Sequence, residues 1–186
     1  MHPRIQELLD YLAHHRADLR AAVDSVPADL RDRRPAPERW SVAEVVEHLA
    51  IVEGRITDGF IKQVAAARAK GLGPDTETAP VVPALDVAFV LDRTNRLIAA
   101  EVARPRGESD SRAAWAALER SRERLRAALV DADGLALGRV RTMHPVLGEM
   151  GLYQLIAFVG AHEGRHAAQV REIGGEVEGT SSASGR

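Results

Sequence analysis

Two histidines four residues apart, His162 and His166, stand in the run Leu152-Tyr-Gln-Leu-Ile-Ala-Phe-Val-Gly-Ala-His-Glu-Gly-Arg-His-Ala-Ala-Gln-Val-Arg-Glu-Ile173. Leu152, Leu155, Val159, His162, His166, Gln169 and Ile173 fall on one stripe of a helix, the stripe that should bury itself. Helical residues four apart are neighbours, so both imidazoles can address one point. Neutral imidazoles are good ligands for transition metals, so the pair forms half of a metal site. The competing reading is a pair of core histidines satisfied by backbone or water. A third histidine, His48, lies three residues after Val45 and four before Val52 on the apolar face of another predicted helix.

The elements that must position these residues can be read from periodicity. Ile5, Leu8, Leu9, Leu12, Leu19 and Val23 predict a first helix over residues 3–24, with His15 at its boundary and His14 solvated. Prolines at 27, 35 and 37 mark a loop. Ser41 with Glu44 is a capping box that opens a second helix running to about Lys70, its apolar face marked by Val45, Leu49, Val52, Ile56 and Phe60. Glu47 and Glu53 are expected to face solvent. Residues 71–110 form a long connection with one short helix over 86–92. Two consecutive parallel helices would require such a crossover. A third helix over 111–131 follows Trp115, Leu118, Arg122, Leu125 and Leu129, with a solvated Arg-rich outer face. Residues 133–151 read as irregular, and His144, before Pro145, is expected to cap the fourth helix or line the site's rim without ligating. The fourth helix carries the histidine pair. The expected architecture is an all-α four-helix bundle, a single domain over 1–175 with a disordered tail over 176–186.

His48 lies seven residues beyond Ser41, and His166 seven before Ile173. If the second and fourth helices are antiparallel, both sit about 10 Å from aligned ends, and all three histidines share one level.

Composition narrows the chemistry. With 186 residues, 45% hydrophobic and 28% charged, the chain can bury a sizeable core. It has no cysteine, so any metal must be held by His, Asp, Glu or water. A net charge of −2 and a pI near 6.4 give no reason to expect nucleic acid. The absence of an apolar signal region or membrane span predicts a cytoplasmic protein.

The stretch Arg39-Trp-Ser-Val-Ala-Glu-Val-Val-Glu-His48-Leu-Ala, the segment His144-Pro-Val-Leu-Gly148 and the run His162-Glu-Gly-Arg-His166-Ala-Ala-Gln169 together resemble the DinB-like superfamily, over residues 5–173. The resemblance implies a four-helix bundle with a long connection between helices two and three. It also implies a divalent metal on His48, His162 and His166. Relatives include bacillithiol- and mycothiol-dependent transferases and a mycothiol-dependent isomerase, and they often form homodimers. The reading is therefore a metal-dependent thiol S-transferase acting on a small electrophile, with a small thiol as cosubstrate and Arg165 or Gln169 orienting the substrate. The alternative is a non-catalytic metal-binding protein for stress response or partner binding. Zinc or nickel comes first; iron, manganese and copper suit imidazole as well.

Two rivals fare worse. His162-Glu-Gly-Arg-His166 also matches H-E-x-x-H, the zinc-protease helix with Glu163 as base. The longer protease pattern fails, because Gln169 and Glu172 stand where Gly and His are required. A di-iron carboxylate bundle needs a second Glu-x-x-His pair, which is missing.

Overall fold

A computed structural model describes residues 1–84, 87–94, 99–145 and 147–184. The fold is mostly helical, with α1 (Pro3–Asp24), α2 (Val42–Ala69), the short α3 (Ala88–Leu91), α4 (Ser111–Asp131) and α5 (Leu152–Ser184). No helix among the described residues is long and apolar enough to cross a membrane. The ends of the long helices have local causes. The Ser41 hydroxyl accepts from the Glu44 amide, and the Glu44 carboxylate accepts from the Ser41 amide, so α2 starts on a complete capping box. Asp110 caps α4 by accepting from the Ala113 amide.

Two large clusters, and a small third one of Val90, Phe158 and Ala161, make up the core. Ile5, Leu8 and Leu12 of α1 join Phe60 and Val64 of α2, Leu125 and Leu129 of α4, and Leu152 to Val159 of α5 in one. Leu19 and Val23 of α1 join Val42 to Leu49 of α2, Leu118 of α4, and Ala167, Val170, Ile173 and Val177 of α5 in the other. The start of α2 therefore meets the second half of α5, and these two helices run in opposite directions. By the same membership α2 and α4 run the same way, so residues 70–110 must traverse the length of the core. The strongest pairings are α2 with α4 and α1 with α5. Close approach of α1 to α5 depends on glycine: a Cβ at Gly160 would stand 2.6 Å from the Tyr11 ring, and one at Gly164 would stand 2.7 Å from His15 Nδ1.

The crossover is tied down along its course. Asp75 receives Arg4 at 3.2 Å and the Tyr153 hydroxyl at 2.7 Å, and Glu7 receives the Val81 and Val82 amides. Further on, Glu47 receives the Arg106 and Gly107 amides. The short helix expected over 86–92 occupies Ala88–Leu91, while Asp86 lies outside the described residues.

Two expectations, for residues 133–151 and for Glu53, are corrected. Residues 133–151 are not wholly irregular, since β1 (Arg141–His144) pairs antiparallel with β2 (Gly148–Gly151). Four-residue strands are too short to leave a readable alternation. The α5 helix runs to Ser184, with Val177 fully buried and Glu176 paired with Arg39. Glu53 is 2% exposed and faces the core rather than solvent, where it meets guanidinium groups of α1 and α4.

Candidate metal centre

The fold brings His48, His162 and His166 together, with one ligand atom from each lying within 4.8 Å of the others. His162 Nε2 is 3.4 Å from His48 Nε2 and 3.1 Å from His166 Nε2. Two imidazole nitrogens bound tetrahedrally to one ion at about 2.0–2.1 Å would lie about 3.3 Å apart, and His162 stands at that spacing from both of its partners. No carboxylate joins the group among the described residues.

Ring orientation is set from behind. His48 Nδ1–H donates to the carbonyl oxygen of Ala103 at 2.6 Å. A carbonyl only accepts, so the proton sits on Nδ1 and the Nε2 lone pair turns toward the other histidines. His166 Nδ1–H donates in the same way to Gln169 Oε1 at 2.8 Å. Aromatic side chains wall the group. The Trp40 ring lies 5.0 Å from that of His48, and Phe158 stacks on His162 at 5.2 Å. His48 and His166 are buried, and His162 is half-buried. Burial pushes the pKa of His48 below the usual imidazole value, although its bond to Ala103 opposes this. Burial, together with the neighbouring imidazoles, pushes His162 and His166 well below it. Each shift favours the neutral imidazole, the form that ligates.

Sequence reasoning placed other residues near this chemistry. His144 stands outside the trio: its ring lies 4.5 Å from Phe158, and its Nδ1 accepts from the Leu147 amide. Arg165 is not free to orient a substrate, because it is buried and donates to the carbonyls of Val90 at 3.1 Å and Asp92 at 2.5 Å, holding α3 against α5. Glu163 turns away from the histidines. It takes Arg16 at 2.7 Å and Arg122 at 3.0 Å, both of which also hold Glu53. A carboxylate committed to two guanidiniums on the far side of α5 cannot serve as the base of an H-E-x-x-H protease. The Ala103 carbonyl was invisible to motif reasoning, since a backbone acceptor leaves no side-chain signature.

These features define a helical protein with a three-histidine centre, between its second and last helices, that could hold a metal ion. The chain belongs to the DinB superfamily, whose model matches residues 11–170. It is 31% identical over 148 residues to the uncharacterized protein YuaE of Bacillus subtilis (strain 168), covering 79% of this chain and 85% of that protein. No solved structure gives a significant match.

Proposed function

We propose that the chain holds a divalent transition metal, zinc or nickel first, on Nε2 of His48, His162 and His166, and uses it to transfer a small thiol to an electrophile. The observation that carries this reading is the convergence of three imidazole nitrogens, with no carboxylate joining them among the described residues. Three neutral ligands leave a bound dication its full charge, which favours an anionic sulfur as the incoming partner. When bound, the ion supplies Lewis acidity that lowers the pKa of a thiol.

The chain's own groups do the rest. Ala103 and Gln169 keep protons on Nδ1 of His48 and His166, and Trp40 and Phe158 restrict water around the imidazoles. Arg93 and Arg165 lie close enough to depress the His166 pKa, and they add to the positive field. The absence of cysteine leaves no internal thiolate to compete. In this reading the long helices form a four-helix bundle, and the crossover from α2 to α4 is part of the site because it supplies Ala103.

The test is elemental analysis of protein purified without a metal-affinity tag, followed by thiol consumption with a model electrophile. Bacillithiol, mycothiol and glutathione are compared in holo and chelator-treated protein. One metal per chain and metal-dependent consumption of at least one thiol are expected. Equal rates in both preparations for every thiol would leave a non-catalytic metal-binding protein.

A further inference from the structure

Gln169 was expected among substrate-orienting groups, but its side chain is spent differently. Its Oε1 takes the His166 Nδ1 proton at 2.8 Å and faces Arg93 Nη1 at 3.5 Å. Arg93 is in turn held by Glu172, with Nη2 to Oε2 at 2.5 Å. A primary amide is nearly symmetric in shape, so packing alone does not decide whether oxygen or nitrogen faces the imidazole. Arg93 decides it. A guanidinium only donates, and its charge favours the amide oxygen over the NH2 even at the outer limit of hydrogen-bond length. The amide oxygen can only accept, so it fixes the His166 proton on Nδ1 and turns the Nε2 lone pair toward His48 and His162.

The chain Glu172–Arg93–Gln169–His166 therefore has one polarity from the surface to the histidine cluster. Glu172 and Arg93 are partly exposed, and His166 is buried. Three of the four residues share α5 at a spacing of three, one turn apart along the helix, and Arg93 reaches them from the crossover.

We infer that Gln169 is a positioning residue that sets the ligating nitrogen of His166, and that Arg93 acts through it by fixing the orientation of its amide. This rests on the metal reading only for its affinity readout, because the proton on His166 can be observed without metal.

The experiment uses full-length wild type, Gln169→Leu, Gln169→Glu, Arg93→Ala and Arg93→Lys. Zinc affinity is measured by chelator competition, and the tautomer of His166 by long-range proton–nitrogen NMR on chelator-treated protein. Gln169→Leu should bind zinc about 10–100-fold more weakly and lose the dominance of the Nδ1–H form. Gln169→Glu keeps an acceptor and should bind at least as tightly as wild type with His166 still protonated at Nδ1. Arg93→Ala should fall between, and Arg93→Lys should recover most of the loss. Wild-type affinity and tautomer in Gln169→Leu overturn the inference, as does a Gln169→Glu variant as weak as Gln169→Leu, which would assign the effect to shape. If wild type binds no zinc, the metal reading fails. The relay is then judged by the tautomer alone: it stands if Gln169→Leu shifts the His166 proton and Gln169→Glu restores it, and falls if neither changes it.

Discussion

His162 and Glu163 are adjacent in sequence and enter opposite environments. One flank of α5 gathers three imidazoles whose Nε2 atoms point at one another. The other gathers two buried carboxylates, Glu53 and Glu163, with two guanidiniums, Arg16 and Arg122. In the second cluster each carboxylate touches both arginines, and Arg122 also donates to the Leu12 carbonyl at 2.9 Å. Its charges are matched inside the protein. In the first, Ala103 and Gln169 take the Nδ1 protons of His48 and His166, whose Nε2 atoms both face Nε2 of His162. The charged cluster pairs charge with charge, Glu163 Oε2 having Arg122 as an ion-pair partner and no hydrogen bond, whereas the converging imidazoles could hold a cation from outside.

Removing one member of each cluster separates them. Glu163→Ala should cost about 3–5 kcal/mol in urea unfolding, because it leaves guanidinium charge buried and under-compensated. The molecules that remain folded should still bind one metal. Full loss of metal without loss of stability would show that the two flanks are one functional unit.

His166→Ala should do the reverse. Wild type should gain about 2.7 kcal/mol when free metal is one hundredfold above its dissociation constant, and the variant should gain nothing measurable in the same thermal or denaturant titration.

pH gives the comparison a sign. His48 and His166 have pKa values depressed by burial in the folded chain. The stability this confers is present above the unfolded imidazole value of about 6.5 and is lost as pH falls below it, as the unfolded chain takes up protons the folded one refuses. Each such histidine adds a slope of up to about 1.4 kcal/mol per pH unit. Glu53 has the opposite sign. Burial raises its carboxyl above the usual range, outweighing Arg122, so its contribution is present in acid and lost as pH rises through the folded value. Unfolding of chelator-treated protein between pH 7 and 5.5 should show the histidine slope, and His48→Gln/His166→Gln should flatten it. An unchanged slope would move the acid sensitivity elsewhere.

The smallest expected effect is that of His144→Ala, which should leave zinc affinity unchanged, since the ring of His144 packs on Phe158 and is not part of the ligand group. Metal loss matching that of His166→Ala would enlarge the ligand set.

The histidine flank was far more legible in the sequence than the charged one. His162 and His166 are four residues apart on a stripe that ought to be apolar, and Ser41 with Glu44 fixes where α2 begins, and hence how deep His48 lies. Local spacing carried that information. The charged cluster has no local signature: Glu53 meets Arg122 69 positions away, and Glu163 meets Arg16 147 positions away. Glu53 looked like a solvent-facing neighbour of His48 because a carboxylate on a helix is solvated unless a distant cation is brought to it. The β1–β2 hairpin was hidden by its brevity, and the hold of Ala103 on His48 by its being a backbone contact.

The glycines at 160 and 164 that let α1 settle against α5 also shape how the molecule is made. Each lowers the helical tendency of α5 by about 1 kcal/mol relative to alanine, so this helix relies on docking for its stability. In chain order it follows α1, α2 and α4. Until it emerges, α1 lacks the helix it packs against most, and neither buried polar cluster can be completed. A nascent chain halted before residue 152 therefore leaves its first helix without its principal neighbour, a ready target for holding chaperones, and the three histidines come together only after α5 has been made.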